Sequence, residues 1–165
     1  MQRERRFKQL DKRLTAIAEL TREGVTVCDV GTDHAYLACH LARSGRYGKI
    51  CACDLNPKPL EFAQATINDQ QADVILLQSD GLANIPICDD VIIAGMGGEL
   101  IAEIIEKMPC GFKKNPNLRL ILQPMTKQDD LRQALHSMSY TVISEQAVYE
   151  NNRKFTIIYA EGEKS

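Results

Sequence analysis

Residues 29–34, with the sequence DVGTDH, combine one glycine with two carboxylates and an imidazole. The segment follows an apolar run and precedes an amphipathic one, as does the first turn of a nucleotide-binding fold. A turn that binds a pyrophosphate usually has further glycines, because the backbone must approach the phosphates closely. Here the corresponding positions are Asp33 and Ala35, and the Asp33 carboxylate would repel a phosphate. The loop therefore favours a ligand with a cationic end.

Two further acidic residues could bind the rest of such a ligand. Asp54 follows Gly31 at the distance typical of a carboxylate that binds the two hydroxyls of a ribose. The alternative is that Asp54 caps the next helix. Asp80 could accept a hydrogen bond from the amine of adenine, or could be an ordinary turn residue before Gly81. S-Adenosylmethionine joins an adenosine to a sulfonium and an ammonium group, so an acidic first loop favours it over NAD.

The segment AGMGG, residues 94–98, contains three glycines after another apolar run. Their backbone carbonyls could lie close to a transferring methyl group, or the glycines could simply allow a tight strand-to-helix turn. Gln123 and Pro124 end a further apolar run and place an amide at the edge of the same crevice. His34 is either a ligand or a helix N-terminal residue bonded to the backbone. His40 and His136 fall inside predicted helices and are interpreted as structural.

Hydrophobic periodicity predicts the elements that position these residues. An N-terminal helix ends at Gly24. Later helices are predicted at residues 34–45, 57–69, 98–108 and 127–138, and strands at 25–30, 49–55, 72–80, 89–95, 117–124, 140–150 and 154–161. Alternating strands and helices imply a parallel sheet, and the turn signal NNR joins the last two strands into an antiparallel hairpin.

These elements predict a doubly wound, Rossmann-like α/β fold with a seven-stranded sheet. The sheet is mostly parallel with an antiparallel last strand, and the N-terminal helix precedes it. In such a sheet ligands bind outside the carboxyl ends of the strands. The acidic and glycine-rich segments described above all follow predicted strands, so we expect them to lie at this edge.

The composition is that of an ordinary globular protein, with 165 residues, a net charge of −2 and 44% hydrophobic residues. These values predict one domain over residues 1–165. No apolar run approaches the ~20 residues that span a bilayer, and no apolar segment follows the N-terminal charges, so we expect a cytoplasmic protein. The six cysteines are expected to be reduced and mostly buried. No metal site is predicted, since the C-x-C pair of Cys51 and Cys53 lacks a second ligand pair.

Seven segments, in this order, resemble the bacterial tRNA (adenine-22-N1)-methyltransferase family: KRLTAIAEL, VCDVGTDHAYL, DLNPKPL, QSDGL, VIIAGMGG, LILQP and VYENNRKFTIIYAE. The resemblance runs from about Lys12 to Glu161. It implies S-adenosylmethionine as donor, S-adenosylhomocysteine as product, and methylation of ring N1 of an adenosine in the D-loop region of tRNA. The donor site that it implies comprises Asp29, Gly31, Thr32, Asp33, His34, Asp54, Leu55, Asp80, Gly81, Ala94, Gly95 and Met96.

Members of this family usually continue into a helical C-terminal domain that helps to hold tRNA. The present sequence ends shortly after the last predicted strand, so we expect the methyltransferase domain alone. Residues that could contact the RNA are two glycines, the amide-proline pair and two basic clusters: Gly97, Gly98, Gln123, Pro124, Arg3, Arg5, Arg6, Lys113 and Lys114. The expected partner is tRNA, and neither a membrane nor an obligate protein partner is indicated.

The turn after the fourth predicted strand agrees with a ring nitrogen as acceptor. Enzymes that methylate exocyclic amines often have polar side chains in this turn, and residues 95–98, GMGG, offer none. Adenine N1 already has an in-plane lone pair, so the reaction mainly requires alignment. A proton must later leave N6, and Asp33 is the hypothetical acceptor unless it only binds the donor. The alternatives are a small-molecule methyltransferase and a donor-binding RNA module without activity.

Overall fold

A computed structural model describes residues 9–163, which form seven strands and six helices. The strands are β1 (Val27–Val30), β2 (Ile50–Asp54), β3 (Ile75–Gln78), β4 (Asp90–Met96), β5 (Arg119–Pro124), β6 (Tyr140–Glu150) and β7 (Arg153–Gly162). The helices are α1 (Lys12–Leu20), α2 (Tyr36–Ser44), α3 (Pro57–Gln70), α4 (Gly98–Glu106), α5 (Cys110–Lys113) and α6 (Gln128–Ser137). Local signals set two helix starts: Asp11 caps α1 through its side chain, and α3 begins with a proline.

The strands form one sheet in the order β3-β2-β1-β4-β5-β7-β6. Strands β1 to β5 pair in parallel, and β7 pairs antiparallel with both β5 and β6. The sheet is therefore parallel except for β7, which confirms the predicted fold. Val30 pairs with Cys53 on one side and with Ile93 on the other. The loops that follow β1, β2 and β4 consequently start side by side at one edge.

Helices cover both faces of the sheet, and each face has its own buried cluster. On one face α4, α5 and α6 pack against β-strand residues; the largest members are Leu82, Ile93, Ile101, Phe112, Leu120 and Leu131. On the other face α1, α2 and α3 pack against the sheet through residues that include Ile17, Leu37, Leu41, Ile67, Ile92 and Ile121. Because β1 and β4 lie between these layers, their carboxyl ends are firmly placed.

Several features differ from the prediction. Helix α1 ends at Leu20 and not at Gly24, because Thr21 has an extended backbone. Helix α5 was not predicted, because four residues are too few to show a helical period; the buried Phe112 anchors it. Helix α2 starts at Tyr36, two residues later than predicted, because Ala35 has a left-handed backbone with φ 57. The edge strand β3 is shorter than its predicted run. The cysteine prediction is confirmed: all six thiols are free, and five of them are buried.

An ion pair between Arg22 and Asp90 joins the segment after α1 to the start of β4. Asp90 is fully buried, and its carboxylate accepts hydrogen bonds from the Arg22 backbone nitrogen (2.8 Å), Nε (2.9 Å) and Nη2 (2.6 Å). The guanidinium also donates to the carbonyl oxygen of Asn117 before β5. Removing the arginine would leave a buried charge without its partner, which is far costlier than losing an exposed pair.

We expect Arg22→Ala to lower the free energy of unfolding by about 3 kcal/mol, measured by urea denaturation at neutral pH. Arg46→Ala is the matched control, because the Arg46–Glu23 pair is 57% and 62% exposed. Its effect should be much smaller, since solvent screens exposed pairs. Equal effects of the two substitutions would show that the buried pair does not hold α1 to the sheet.

Candidate functional site

The loop after β1 and the carboxyl end of β4 enclose a cleft of about 330 Å³ at the carboxyl edge of the sheet. Seven residues predicted from the sequence line it: Asp29, Gly31, Thr32, Asp33, His34, Ala94 and Gly95. Side chains of α1, α2 and the segment before α1 complete the wall: Asp11, Arg13, Leu14, Tyr36 and Leu37. We call this space the first cleft. Acidic and small residues from two neighbouring strand ends thus meet in one place.

The backbone of the β1 loop has a glycine-like conformation at three positions. Gly31, Asp33 and Ala35 have φ values of 73, 50 and 57. A left-handed conformation costs a residue with a side chain roughly 1 kcal/mol or more, and such strain is typical of functional loops. The turn therefore has the backbone of a glycine-rich turn although it carries the Asp33 carboxylate. The Asp33 side chain is 70% exposed at the rim of the cleft, and its Oδ2 lies 4.0 Å from Nε2 of His34.

Asp29 is a buried carboxyl group at the end of β1. Its side chain accepts a 2.9 Å hydrogen bond from the Thr32 hydroxyl, which ties the loop to the strand. Burial raises the pKa of Asp29 to about 6; the Thr32 hydrogen bond and the charge of Arg13 lower it, and the Asp54 carboxylate raises it. Desolvation disfavours the charged form of a buried acid. A cationic ligand in the cleft would favour the charged form and lower the pKa of Asp29.

The buried amide of Gln123 connects three elements around the cleft. Its Oε1 accepts hydrogen bonds from Nη1 of Arg13 (2.7 Å) and from the backbone nitrogen of Gly95 (3.1 Å), and its Nε2 donates to the carbonyl oxygen of Pro124 (3.3 Å). Gln123 is 0% exposed and Pro124 is also buried. The predicted direct contact of these two residues with a substrate does not fit this burial. Gln123 instead positions Arg13 and the β4 loop.

Arg13 is the main site residue that the sequence reasoning missed. The available signal was its spacing, because Leu10, Arg13, Leu14 and Ile17 share one face of a helix. A charged residue on an otherwise apolar face indicates a specific partner, here Gln123 on a strand that lies 110 residues away in the chain.

An aromatic cluster lies beside the Asp33 carboxylate. The His34 ring stacks on Tyr36 with centroids 5.3 Å apart, and it lies 5.1 Å from the ring of Phe62 in α3. Phe62 is 44% exposed. His34 therefore contacts neighbouring rings at the rim of the cleft, and Tyr36 and Phe62 were not predicted as site residues. A bound ligand at this rim would meet an aromatic surface.

The other predicted donor residues lie at the same edge but outside the first cleft. Asp54 Oδ1 accepts from the backbone nitrogen of Asn56 (3.0 Å) just before α3, and Leu55 is 54% exposed. Asp80 and Gly81 line a separate depression of about 250 Å³ beside α4. The N-cap of α3 is Asn56, without a side-chain capping bond, so the capping alternative for Asp54 is wrong. The charge of Asp54 still acts on Asp29. The neighbouring strand ends place these residues in a row along the edge.

Packing explains two of the glycines and Met96. A side chain at Gly31 would displace the terminal methyl group of Met96, and it would also be strained by the left-handed backbone, with φ 73. A side chain at Gly98 would collide with the carbonyl oxygen of Lys127, and the Gly98 nitrogen donates to Thr126 O (2.8 Å). Gly97 directly precedes α4. The close-packing alternative therefore fits Gly98.

The predicted basic contacts are not brought to this site. Lys113 and Lys114 follow α4 and precede β5, so they lie at the amino edge of the sheet, opposite to the cleft. Lys113 Nζ donates to the carbonyl oxygen of Glu106 (2.7 Å). The other predicted phosphate contacts, Arg3, Arg5 and Arg6, lie outside the described residues. Lys113 and Lys114 therefore lie away from the cleft, and their predicted contact with RNA phosphates stays a prediction.

Within residues 9–163, no group of three or more histidine, cysteine or acidic side chains is arranged to hold a metal ion. No helix in the same part of the chain has both the length and the apolar character needed to cross a membrane.

Comparisons with known proteins place this geometry in a family. Residues 10–158 match the family model described as a methyltransferase domain. The tRNA (adenine(22)-N(1))-methyltransferase of Bacillus subtilis is 32% identical over 157 residues, which cover 93% of this chain and 65% of that protein. The chain thus spans less than two thirds of the length of this relative.

Two solved structures have closely similar folds. The B. subtilis M1A22 tRNA methyltransferase TrmK superposes with a TM-score of 0.85 and 31% identity, over 94% of this chain and 67% of that one. M. capricolum TrmK, solved in complex with S-adenosylhomocysteine, has a TM-score of 0.82 and 27% identity, over 95% of this chain and 70% of that one. The chain therefore belongs to the methyltransferase-domain family and, within it, to the tRNA (adenine-22-N1)-methyltransferase family that its sequence motifs resemble.

Proposed function

We propose that the protein transfers the methyl group of S-adenosylmethionine to ring N1 of an adenosine in tRNA, at position 22 in the D-loop region. The observation that carries this proposal is the first cleft, in which a buried carboxyl group and a phosphate-repelling loop meet the glycine turn after β4. The relatives support it, because the similar M. capricolum protein was solved with the product of this donor.

The residues at the sheet edge fit the parts of this donor. Asp29 and Asp33 offer carboxylates to its cationic end. Because burial raises the pKa of Asp29, a cation bound nearby would stabilise the ionised form of this carboxyl group. We assign Asp54 to the ribose hydroxyls and Asp80 to the adenine amine, since Asp54 ends β2 and Asp80 follows β3 at the same edge of the sheet. Apolar contacts come from Leu55 and Met96. When bound, the donor supplies an activated methyl group, and no metal ligand set is needed to hold it.

The β4 turn fits a ring nitrogen as acceptor. Residues 95–98 carry no side chain that could bind an exocyclic amine, and the Gly95 backbone is fixed by Gln123. Alignment of the N1 lone pair with the methyl group can supply about 7–11 kcal/mol of the barrier. The exposed carboxylate of Asp33 can then accept the N6 proton, directly or through water. Because N1 is hidden in a Watson–Crick pair, the adenosine must be unpaired or extruded.

The open shape of the site favours a large substrate over a small molecule. In the described part of the chain, five residues join β1 to α2 and one residue joins β4 to α4, so neither connection contains an inserted lid. A small-molecule methyltransferase would need such a cover to exclude water. A non-catalytic module would not need the aligned glycine turn.

Mass spectrometry of an unmodified tRNA transcript tests the proposed function. After incubation with the chain and the donor, we expect 1-methyladenosine at position 22, and no product when that adenosine is replaced by guanosine. Methylation at N6, or of the guanosine variant, would contradict the assignment. Donor turnover with small nucleosides only would favour the small-molecule alternative, and donor binding with RNA binding but no transfer would favour the module.

The ribose contact can be measured by calorimetry. We expect Asp54→Ala to weaken S-adenosylmethionine binding about 10- to 100-fold, because two hydrogen bonds to a charged acceptor are lost. Asp130→Ala is the control, since Asp130 is an exposed acid in α6. An Asp54→Ala variant with wild-type affinity would show that Asp54 does not bind the donor.

The buried acid predicts a pH-dependent stability. In the free protein the pKa of Asp29 is about 6 against an ordinary value of 3.8, so the folded state binds the extra proton and stability falls as pH rises between these values. The two-unit difference corresponds to about 3 kcal/mol. We therefore expect Asp29→Asn to be more stable than the wild type at pH 8, by up to about this amount, in urea denaturation.

The same variant should bind S-adenosylmethionine more weakly, above all at pH 7 and higher, where the wild-type carboxylate is ionised. Near pH 4 the stabilities of the two proteins should converge. A variant that is less stable at pH 8, or one that binds the donor as well as the wild type, would show that Asp29 is not held for a ligand cation.

A further inference from the structure

A second cleft of about 390 Å³ adjoins the first one and has no role in donor binding as proposed. We call it the hairpin cleft, because the turn between β6 and β7 forms one side of it. Asp11, Arg13 and Gly95 line both clefts. The remaining lining residues of the hairpin cleft are Met125, Glu150, Asn151, Arg153 and Phe155. Gly95 and Arg13 therefore lie between two adjoining clefts.

The reversed direction of β7 brings the hairpin to this edge. Because β7 is antiparallel to β5, its first residues lie beyond the carboxyl end of β5. Asn151 and Asn152 have φ values of 50 and 59, as a tight two-residue hairpin turn requires. Phe155 pairs with the buried Val148 and packs against the cluster under α1. The turn segment VYENNRKF, singled out in the sequence, is thus fixed beside the catalytic edge.

The hairpin cleft combines an aromatic ring with two guanidinium groups. The ring centroid of Phe155 lies 5.3 Å from Cζ of Arg153 and 5.9 Å from Cζ of Arg13. Arg13 is held in place by Gln123. Aromatic and guanidinium planes stack on extruded nucleobases, and arginine also binds phosphate. These three side chains therefore suit a nucleotide. Its base would lie inside the hairpin cleft, and its phosphate would contact the exposed Arg153.

Two carboxylates in the hairpin cleft define the ligand further. Asp11 Oδ1 accepts from the Leu14 backbone nitrogen (2.8 Å), and Glu150 Oε1 accepts from that of Lys12 (3.4 Å). Both acids therefore bind the first turn of α1, and their charges offset those of the two arginines. Such a balance disfavours a free polyanion inside the cleft and agrees with a neutral base there.

We propose that the hairpin cleft holds the target adenosine, with the base against Phe155 and Arg13 and its N1 facing the donor past Gly95. Arg153 contacts the flanking phosphate, and the Asn151 amide offers a donor and an acceptor to the adenine edge. This assignment rests on the proposed function. It makes Phe155 and Arg153 determinants of acceptor binding and leaves the donor site to the first cleft.

Substitution of Phe155 tests the assignment against a matched residue of the same hairpin. Tyr149 is 65% exposed and precedes the turn on β6, outside the cleft. We expect Phe155→Leu to lower kcat/KM for tRNA by about 5- to 100-fold, with donor affinity unchanged in calorimetry. Phe155→Tyr should restore most of the activity, and Tyr149→Leu should behave as the wild type. Equal activity of Phe155→Leu and Tyr149→Leu would overturn the proposal.

A binding measurement separates this proposal from the proposed function. Adenosine 5′-monophosphate is titrated into the full chain with S-adenosylhomocysteine present, while NMR follows the ring signals of Phe155. Shifts of these signals that disappear in Arg153→Ala support the hairpin cleft, even if the wild type does not methylate tRNA. An active wild type in which the nucleotide shifts His34 and Phe62 but not Phe155 would place the acceptor elsewhere and overturn the proposal.

Discussion

A carboxyl group buried at the end of the central strand β1 is the constraint on which the rest of the site depends. Asp29 has a Thr32 hydroxyl as hydrogen-bond donor, while burial raises its pKa to about 6. The hydrogen bond from Thr32 and the charge of Arg13 offset the desolvation of this carboxylate only in part. The first cleft is therefore prepared for a cation before any ligand binds, which an ordinary phosphate-binding loop is not.

The buried amide of Gln123 holds other elements at the same edge of the sheet in place. One oxygen receives both the guanidinium of Arg13 and the nitrogen of Gly95, so α1, the β4 loop and β5 are fixed relative to one another. Both clefts use these two residues as a common wall. A shift of the amide would change donor and acceptor positions together, as expected where reacting atoms must be aligned.

Sequence patterns predicted much of the fold and one half of the site. Hydrophobic periodicity predicts the strands, and the turn signal predicts the reversed β7. Because the carboxyl ends of parallel strands lie at one edge of a sheet, the sequence also predicts that the ends of β1 and β4 meet. The spacing of Arg13 on an apolar helix face indicates a partner, but it does not say that this partner is Gln123. The burial of Gln123 and the shared cleft of Phe155 and Gly95 depend on contacts between distant parts of the chain, which no local pattern records. The position of Lys113 before β5 indicates the amino edge of the sheet, so its predicted contact with RNA stays a prediction for a surface away from the cleft.

The pKa of Asp29, followed by NMR of its side-chain carboxyl carbon with and without S-adenosylmethionine, tests the central claim most directly. We expect a midpoint near 6 in the free protein and a decrease of about one unit or more with the donor, while NAD leaves it unchanged. An ordinary midpoint near 3.8 in the free protein, or the same midpoint with and without the donor, would contradict the claim that this carboxylate is held for a ligand cation.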